Sequence, residues 1–334
     1  MSYNYSDGTL FELKSDALRF TWAVWYLFVV LSSVVGDTTI LYASIKYRVF
    51  NLHIVIVTFI QHVAACDLVL AITWVLPNAV STIVGGQGWS LGVVLNYARV
   101  YVCYYCYPVS TLLICALTTF KLFLLKYPLR STVWSIKSAY KICGGIWLIG
   151  LYNPATFLIV DKDDLYYDFR VHTYDYGFSL DIWHLLAPIS TFILLLIPNI
   201  VTVVATVVLI IKAVKGARQL RKNLRWRGVI MVIVSASVYT FSVLPLTIYS
   251  IIEPHMVKNP DQPGPFHVYF YAMAFTVLTL NVIANFFTYL FTVPRFRNFV
   301  ISRIQKCAPC LDLEVPHQGN RSLLHWNILF TFPC

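Results

Sequence analysis

The chain has 334 residues, of which 58% are hydrophobic and only 12% are charged, and its formal net charge is +10. A soluble domain has roughly 45–50% apolar and about 25% charged residues, so the excess apolar surface of this chain must face lipid. This composition excludes a disordered chain and a coiled coil, and eight cysteines are too few for a secreted disulfide scaffold.

Seven apolar stretches are each long enough to cross a bilayer, for which a helix needs about 20 residues. In chain order they span residues 20–45, 54–84, 94–125, 142–160, 182–211, 229–252 and 267–292. Each is too long for a buried strand. The sequence therefore predicts an all-α membrane protein with a seven-transmembrane helix bundle.

The two ends of the chain predict different structures. The first 19 residues are polar and lack the apolar core of a signal peptide, so we expect the first span to direct insertion. After the seventh span, apolar and basic residues alternate at helical spacing, which predicts a short amphipathic helix in the membrane interface. We expect an N-terminus at 1–19, a transmembrane domain at 20–292, an amphipathic helix at 293–306 and a tail at 307–334.

The charges of the loops predict the orientation. Basic residues concentrate on one side, in the segments 46–48, 126–141, 212–227 and 295–321, whereas the loop 161–181 on the other side is acidic. By the positive-inside rule the basic side is cytoplasmic, so we expect a plasma-membrane protein with an extracellular N-terminus. Asn4 begins a glycosylation sequon on that outer side.

The same arrangement accounts for the positive charge. Nucleic-acid binding would need the cations on a folded soluble surface, whereas here they border an anionic leaflet. We therefore expect the lipid bilayer as a partner and no nucleic acid.

Four ionisable residues fall within the spans, where charged groups are costly and usually functional. Arg99 and Lys121 are near opposite ends of the third span, so we expect their charged groups to reach the interface. Asp37 and Asp67 are deeper in their spans and cannot do so.

Motifs in six of the spans and in two loops occur in an order typical of one family. They are Gly36-Asp37, the segment 64–68 (AACDL) around Asp67, Trp89, Lys126-Tyr127-Pro128-Leu129-Arg130, Trp147, Pro198, Pro245, Asn281 and the segment 285–289 (NFFTY). Over residues 20–306 the chain thereby resembles the rhodopsin-like G-protein-coupled receptors. The resemblance implies a receptor that binds an extracellular small molecule or peptide and couples to a heterotrimeric G protein.

The activation motifs depart from the family's pattern. Phe120-Lys121-Leu122 replaces Asp-Arg-Tyr, and Arg225 replaces its acidic counterpart on the sixth helix, so no ionic latch is expected. The segment 242–245 (SVLP) lacks the tryptophan of Cys-Trp-x-Pro, and 285–289 lacks the proline of Asn-Pro-x-x-Tyr. The disulfide that joins the third helix to the second outer loop is also missing, because Asn96 stands at the cysteine position. These departures argue against conventional activation.

A polar pocket in the middle of the bundle is implied by the resemblance. Water or a sodium ion would be bound there by Asp67, Ser110, Asn281 and Asn285, with Asp37 close by. Two carboxylates in a low dielectric rarely both ionise, so they would share a proton or a cation. This predicts either a switch that responds to pH or sodium, or a static hydrogen-bond network.

The resemblance also implies a ligand cavity between the outer halves of the helices. Its lining would be Arg99, Cys103, Tyr104, Tyr107, Ser190, Thr247, Tyr271 and Phe275. Cys103 replaces the aspartate of amine receptors and Thr279 replaces the retinal-binding lysine of opsins, which argues against both ligands. Arg99 either pairs an anionic ligand group or, as we favour, an acid of the loop 161–181.

On the cytoplasmic side, a ligand would shift the sixth helix relative to the third and open a cleft. Phe120, Lys121, Leu122, Arg225 and Tyr289 would form this interface. The basic loop 212–227 either docks an acidic partner or only maintains the orientation.

Two cysteines, Cys307 and Cys310, are candidate palmitoylation sites. Their spacing resembles that of zinc ligands, but Cys103 and Cys106 lie on the other side of the bilayer, so no metal is expected between the pairs. There is no catalytic constellation, so we predict a receptor and not an enzyme. The alternatives are a receptor fold that binds ligand without coupling and, less favoured, a transporter or channel.

Overall fold

The computed structural model describes residues 16–47, 49–50, 52–84, 92–127, 134–152, 165–168, 173–176, 189, 192–215, 225–256 and 265–307. These residues form eight helices and one hairpin. The helices are α1 (Asp16–Lys46), α2 (54–84), α3 (Gly92–Lys126), α4 (Ile136–Gly150), α5 (192–215), α6 (Arg225–Met256), α7 (Pro265–Thr292) and α8 (Pro294–Cys307).

Length and apolar composition mark five of the described helices as able to cross a membrane, or six if a bent pair counts as one span. The bent pair is α7 followed by α8, whose axes differ by 100°, so α8 lies across the end of α7. The described part of α4 has 15 residues, which is shorter than a bilayer crossing, and the rest of its predicted span, 153–160, lies outside the described residues.

Two helices contain a π-helical turn shortly before a proline. In α2 the turn is Ala71–Val75, two residues before Pro77, and in α5 it is Phe192–Leu196, two residues before Pro198. Proline has no amide hydrogen and its ring meets the carbonyl four residues earlier. A wider turn at that carbonyl accommodates the ring, so both helices continue through their prolines.

The outer surface of the bundle is apolar, unlike the surface of a soluble protein. Large apolar side chains such as Leu31, which is 65% exposed, and Leu148, which is 70% exposed, cover the outside. The interior holds apolar residues together with many buried serines, threonines and asparagines. Such an exterior is stable only against lipid, and buried polar groups require partners.

Two glycines let helices approach closely. A Cβ on Gly36 of α1 would lie 2.6 Å from Cγ of Phe286 on α7, and a Cβ on Gly150 of α4 would clash with Cγ2 of Val109 on α3. Real side chains do not pack at such distances. The Gly36 contact lies beside Asp37 and fixes α1 against the polar segment of α7.

A short antiparallel hairpin lies between α4 and α5 in sequence. Its strands are β1 (Leu165–Asp168) and β2 (Thr173–Tyr176), with Asp168 paired to Thr173 in the register. β2 contacts both the segment Leu76–Val84 of α2 and α3. Part of the acidic loop therefore covers one end of these helices.

Candidate functional site

A buried carboxylate pair connects three helices. Asp67 of α2 is 1% exposed, and its Oδ2 accepts a hydrogen bond of 2.7 Å from Nδ2 of Asn285 on α7. Asp37 of α1 is 0% exposed, and its Oδ2 accepts a 2.5 Å hydrogen bond from the Ser33 hydroxyl. The two carboxyl groups are close enough to interact electrostatically.

Among the buried polar atoms that have no hydrogen-bond partner within the described part of the chain, four belong to side chains of the predicted polar pocket. They are Oδ1 of Asp37, Oδ1 of Asp67, Oγ of Ser110 and Nδ2 of Asn281. All four side chains are buried. Three of these atoms are oxygens, the ligand type of a small hard cation, and water can satisfy all four.

No group of three or more His, Cys, Asp or Glu side chains in the described residues has the arrangement of a metal site. The buried carboxylate pair instead consists of two carboxylates with a hydroxyl and an amide as hydrogen-bonding neighbours. This donor set suits a monovalent cation or water better than a transition metal.

The N-terminal half of α3 contains four of the predicted cavity residues. Arg99 and Tyr107 are buried, whereas Cys103 and Tyr104 are half-buried. Arg99, Cys103 and Tyr107 follow each other at intervals of four and so share one face of the helix. The ring of Tyr107 packs edge-on against Trp74, with the ring centroids 6.0 Å apart.

The other cavity predictions differ in what the structure shows of them. The Thr247 hydroxyl donates to the Val243 carbonyl at 2.9 Å, so its proton is committed to its own helix. Ser190 lies outside the described residues, as do the side chains of Tyr271 and Phe275, whose backbones belong to α7.

The charged groups of Arg99 and Lys121 do not lie where the sequence analysis predicts. Arg99 is 3% exposed and Lys121 is 7% exposed, so the prediction that both reach the interface is wrong. Both side chains are instead buried within the protein, and Nζ of Lys121 lies beside Gly228 of α6.

A hydrogen bond between α3 and α6 was not predicted from the sequence. The hydroxyls of Thr111 and Tyr239 are hydrogen-bonded to each other, and both residues are 1% exposed. Thr111 also donates to the Tyr107 carbonyl at 2.8 Å, so the Tyr239 hydroxyl is the donor toward Thr111. The sequence around a tyrosine in an apolar helix does not indicate which side chain of another helix it will bond.

A second unpredicted contact lies between α1 and α7. Nε1 of Trp25 donates to Oγ1 of Thr279 at 2.8 Å. The Thr279 hydroxyl in turn donates to the Thr276 carbonyl at 2.7 Å. The only signal in the sequence is that a buried indole N–H needs an acceptor.

At the opposite end of the bundle, α3 meets the beginning of α6. Nζ of Lys121 lies 3.1 Å from the position that a Cβ on Gly228 would occupy, and Cδ2 of Leu52 lies 2.7 Å from it. The absence of a side chain at Gly228 therefore allows this approach. The side chain of Arg225, the first residue of α6, lies outside the described residues.

Aromatic rings surround the residues that replace the family's motifs at this end. Phe120 packs edge-on against Trp134 at 5.4 Å and also contacts His53 and Phe59, while Leu122 is half-buried beside it. Phe120 thus occupies an apolar cluster, where an acid would be unsolvated.

The seventh-helix motif ends in another aromatic cluster. Tyr289 is fully buried and packs edge-on against Phe50 at 5.7 Å. Phe50 stacks on Phe296 of α8 at 5.4 Å, and Phe296 also meets Phe286. The cluster anchors α8 and keeps Tyr289 out of contact with solvent.

The candidate modification sites fall beyond what the structure describes. Asn4 and Cys310 lie outside the described residues, and Cys307 is the last residue of α8 with its side chain outside them.

The helices, the lipid-facing exterior and the buried polar interior define an integral membrane protein of the multi-pass helical class. The family model of the seven-transmembrane receptors of the rhodopsin family matches residues 36–289. The chain therefore belongs to the rhodopsin family of seven-transmembrane receptors, and the predicted family and helical-bundle fold are confirmed. No curated protein matches the chain.

Proposed function

We propose that this protein binds an extracellular ligand in the outer half of the bundle and transmits binding to a heterotrimeric G protein. Membership of the rhodopsin family supports a receptor and favours it over an enzyme, a transporter or a channel. The proposal includes the orientation with the N-terminus outside at the plasma membrane, glycosylation of Asn4 and palmitoylation of Cys307 and Cys310.

The observation that carries the proposal is that α3 and α6 are joined at two levels. Thr111 and Tyr239 are hydrogen-bonded in the interior, and Lys121 packs against Gly228 at the basic end. A ligand that favours a state with α6 displaced would break both contacts and shift the population toward that state. Lys121, Tyr289 and the residues beside them would then border the opened cleft.

For the ligand we propose a small molecule or the end of a peptide. The described lining, which includes Cys103, Tyr104 and Tyr107, is aromatic with few polar groups, as small-molecule sites are. The favoured role of Arg99 is to meet an acid of the loop 161–181, and contact of β2 with α3 supports it. Recognition of an anionic group by Arg99 is the alternative.

At the centre we propose a site for a sodium ion or a shared proton between Asp37 and Asp67, completed by Ser110, Asn281 and Asn285. The unpartnered oxygens of Asp37, Asp67 and Ser110 support the site. Asp37→Asn removes one charge with little change of shape, so we expect the ligand response to lose most of its dependence on sodium and pH. A response that keeps both dependences would show that the pair is only structural.

The coupling proposal is tested by a ligand screen that records several second messengers in cells expressing the full chain. The variant Phe120→Asp/Lys121→Arg/Leu122→Tyr restores the family triplet. Similar ligand-evoked nucleotide exchange in wild type and variant supports coupling through the native triplet. A large gain confined to the variant would indicate a receptor that binds ligand without coupling. A ligand-evoked current without any G protein would indicate a channel.

A further inference from the structure

Five residues join the end of α1 to α8 through aromatic and cationic groups, and we name them the tyrosine clamp. They are Tyr42, Lys46, Tyr47, Phe299 and Arg303. The guanidinium carbon of Arg303 lies 5.2 Å from the ring centre of Tyr47, 5.3 Å from that of Phe299 and 5.9 Å from that of Tyr42. Nζ of Lys46 lies 5.4 Å and 5.8 Å from the rings of Tyr42 and Tyr47.

The two hydroxyl groups of the clamp are hydrogen-bonded to each other, and one of them is bonded to Arg303. Nη2 of Arg303 donates to the Tyr47 hydroxyl oxygen at 2.5 Å, and the Tyr47 and Tyr42 hydroxyls are 3.2 Å apart. Either hydroxyl of the tyrosine pair can be the donor, because a hydroxyl oxygen can accept more than one hydrogen bond. When Tyr47 donates to Tyr42, the Tyr42 proton is available to an external acceptor.

The clamp carries two positive charges over the same pair of rings. Asp37 and Asp67 are buried inside the bundle, and Asp37 is nine residues, roughly 14 Å, before Lys46 along α1. Each ring contact stabilises a cation by only about 0.5–1 kcal/mol at an exposed site. An anion between the two cations would remove their mutual repulsion.

The surroundings of the clamp are both polar and apolar. Tyr42 and Tyr47 are 41% and 42% exposed, and the neighbouring Ile45 and Ile304 are also exposed. The bend of 100° between α7 and α8 places α8 across the bundle end, as expected of a helix in the interface plane. An amphiphile whose phosphate meets the cations and whose chains cover the isoleucines fits this surface better than a free anion.

We propose that the tyrosine clamp binds the phosphate headgroup of an anionic phospholipid from the cytoplasmic leaflet. Arg303 and Lys46 contact the phosphate oxygens, and the Tyr42 hydroxyl donates to one of them. Clusters of basic residues beside a transmembrane helix attract anionic lipids. The bound lipid stabilises the junction of α1 and α8.

The proposal is tested with the purified full chain in phosphatidylcholine nanodiscs into which phosphatidylserine is titrated, with lipid retention measured by native mass spectrometry. In Lys46→Gln/Arg303→Gln we expect a roughly tenfold or greater loss of phosphatidylserine affinity. The matched control is Lys137→Gln/Lys141→Gln, which removes two exposed cations from α4 and should change the affinity less than twofold. An equal loss in both variants would overturn the proposal, because it would show only general charge attraction.

Two further measurements use the wild-type chain and do not depend on the variants folding. Phosphatidylserine with a photoreactive group near its headgroup should label the segments 42–47 and 299–304 above the rest of the protein, and uniform labelling would overturn the proposal. Soluble glycerophosphoserine should compete only weakly. Competition as strong as that of the intact lipid would show a site for a free phosphate ester and would overturn the lipid assignment.

Discussion

At the scale of residues, a few polar side chains and glycines within the apolar helices determine how the interior packs. Asp37, Asp67 and Asn285 form a polar junction of three helices, and Gly36 next to it has no room for a methyl group. Gly36 allows the close approach of α7, and the adjacent Asp37 provides a polar group at the same level of the bundle.

The first residue-scale prediction concerns this close approach. Gly36→Ala places a Cβ against Phe286, so we expect destabilisation of about 1–3 kcal/mol, as for other overpacked sites. The control is Gly145→Ala in α4, where no heavy atom lies within 4 Å of the added Cβ and helix propensity favours alanine. Thermal unfolding of the purified variants measures both, and equal melting temperatures would contradict the packing argument.

The second residue-scale prediction concerns the hydrogen bond between Thr111 and Tyr239. Tyr239→Phe leaves the Thr111 oxygen without its buried donor, so we expect a loss of about 1 kcal/mol of stability and a larger separation of α3 and α6. Tyr140→Phe, which changes a half-exposed ring, is the control. Unfolding in detergent and the distance between probes on the two helices are measured. An unchanged distance in Tyr239→Phe would show that the bond does not hold the helices together.

At the scale of elements, hydropathy predicts the approximate positions of the helices, since long apolar runs admit few other structures in lipid. The exception is α4, which begins at Ile136, six residues before its predicted span. Hydropathy did not predict the π-helical turns before Pro77 and Pro198, because these are local responses to a missing amide hydrogen. The pairing of Asp67 with Asn285 was expected from the resemblance. The contacts of Tyr239 and Trp25 were not, since a side chain's partner on another helix depends on the rotation of both helices.

The element-scale prediction concerns the contact between α3 and α6. Gly228→Ala inserts a methyl group between α6 and the side chains of Lys121 and Leu52, so we expect the helices to separate at this end. Spin labels at the ends of α3 and α6 should show a longer distance, and a coupled receptor should show raised basal nucleotide exchange. Gly144→Ala, where the added Cβ meets nothing within 4 Å, should change neither.

A distance distribution in Gly228→Ala identical to that of wild type would contradict a closed state held by this contact. Raised exchange without a change in distance would place the effect elsewhere in the bundle.

At the scale of the whole molecule, the distribution of charge and apolar surface determines how the bundle lies in the membrane. The exterior of the helices is apolar, the segments 46–48, 126–141 and 212–227 are basic, and α8 lies across the end of α7. The basic end, the tyrosine clamp and the contact of Lys121 with Gly228 all belong to the side that the positive-inside rule assigns to the cytoplasm. The orientation therefore determines on which side of the membrane the proposed ligand cavity, the proposed lipid site and the proposed G-protein interface lie.

This orientation is tested most directly by epitopes placed before residue 1 and after residue 334 of the full chain. Antibody binding to cells is compared before and after permeabilisation. We expect the first epitope to be accessible on intact cells and the second only after permeabilisation, as an odd number of crossings requires. Both epitopes on the same side, or the first accessible only after permeabilisation, would contradict the proposed receptor topology.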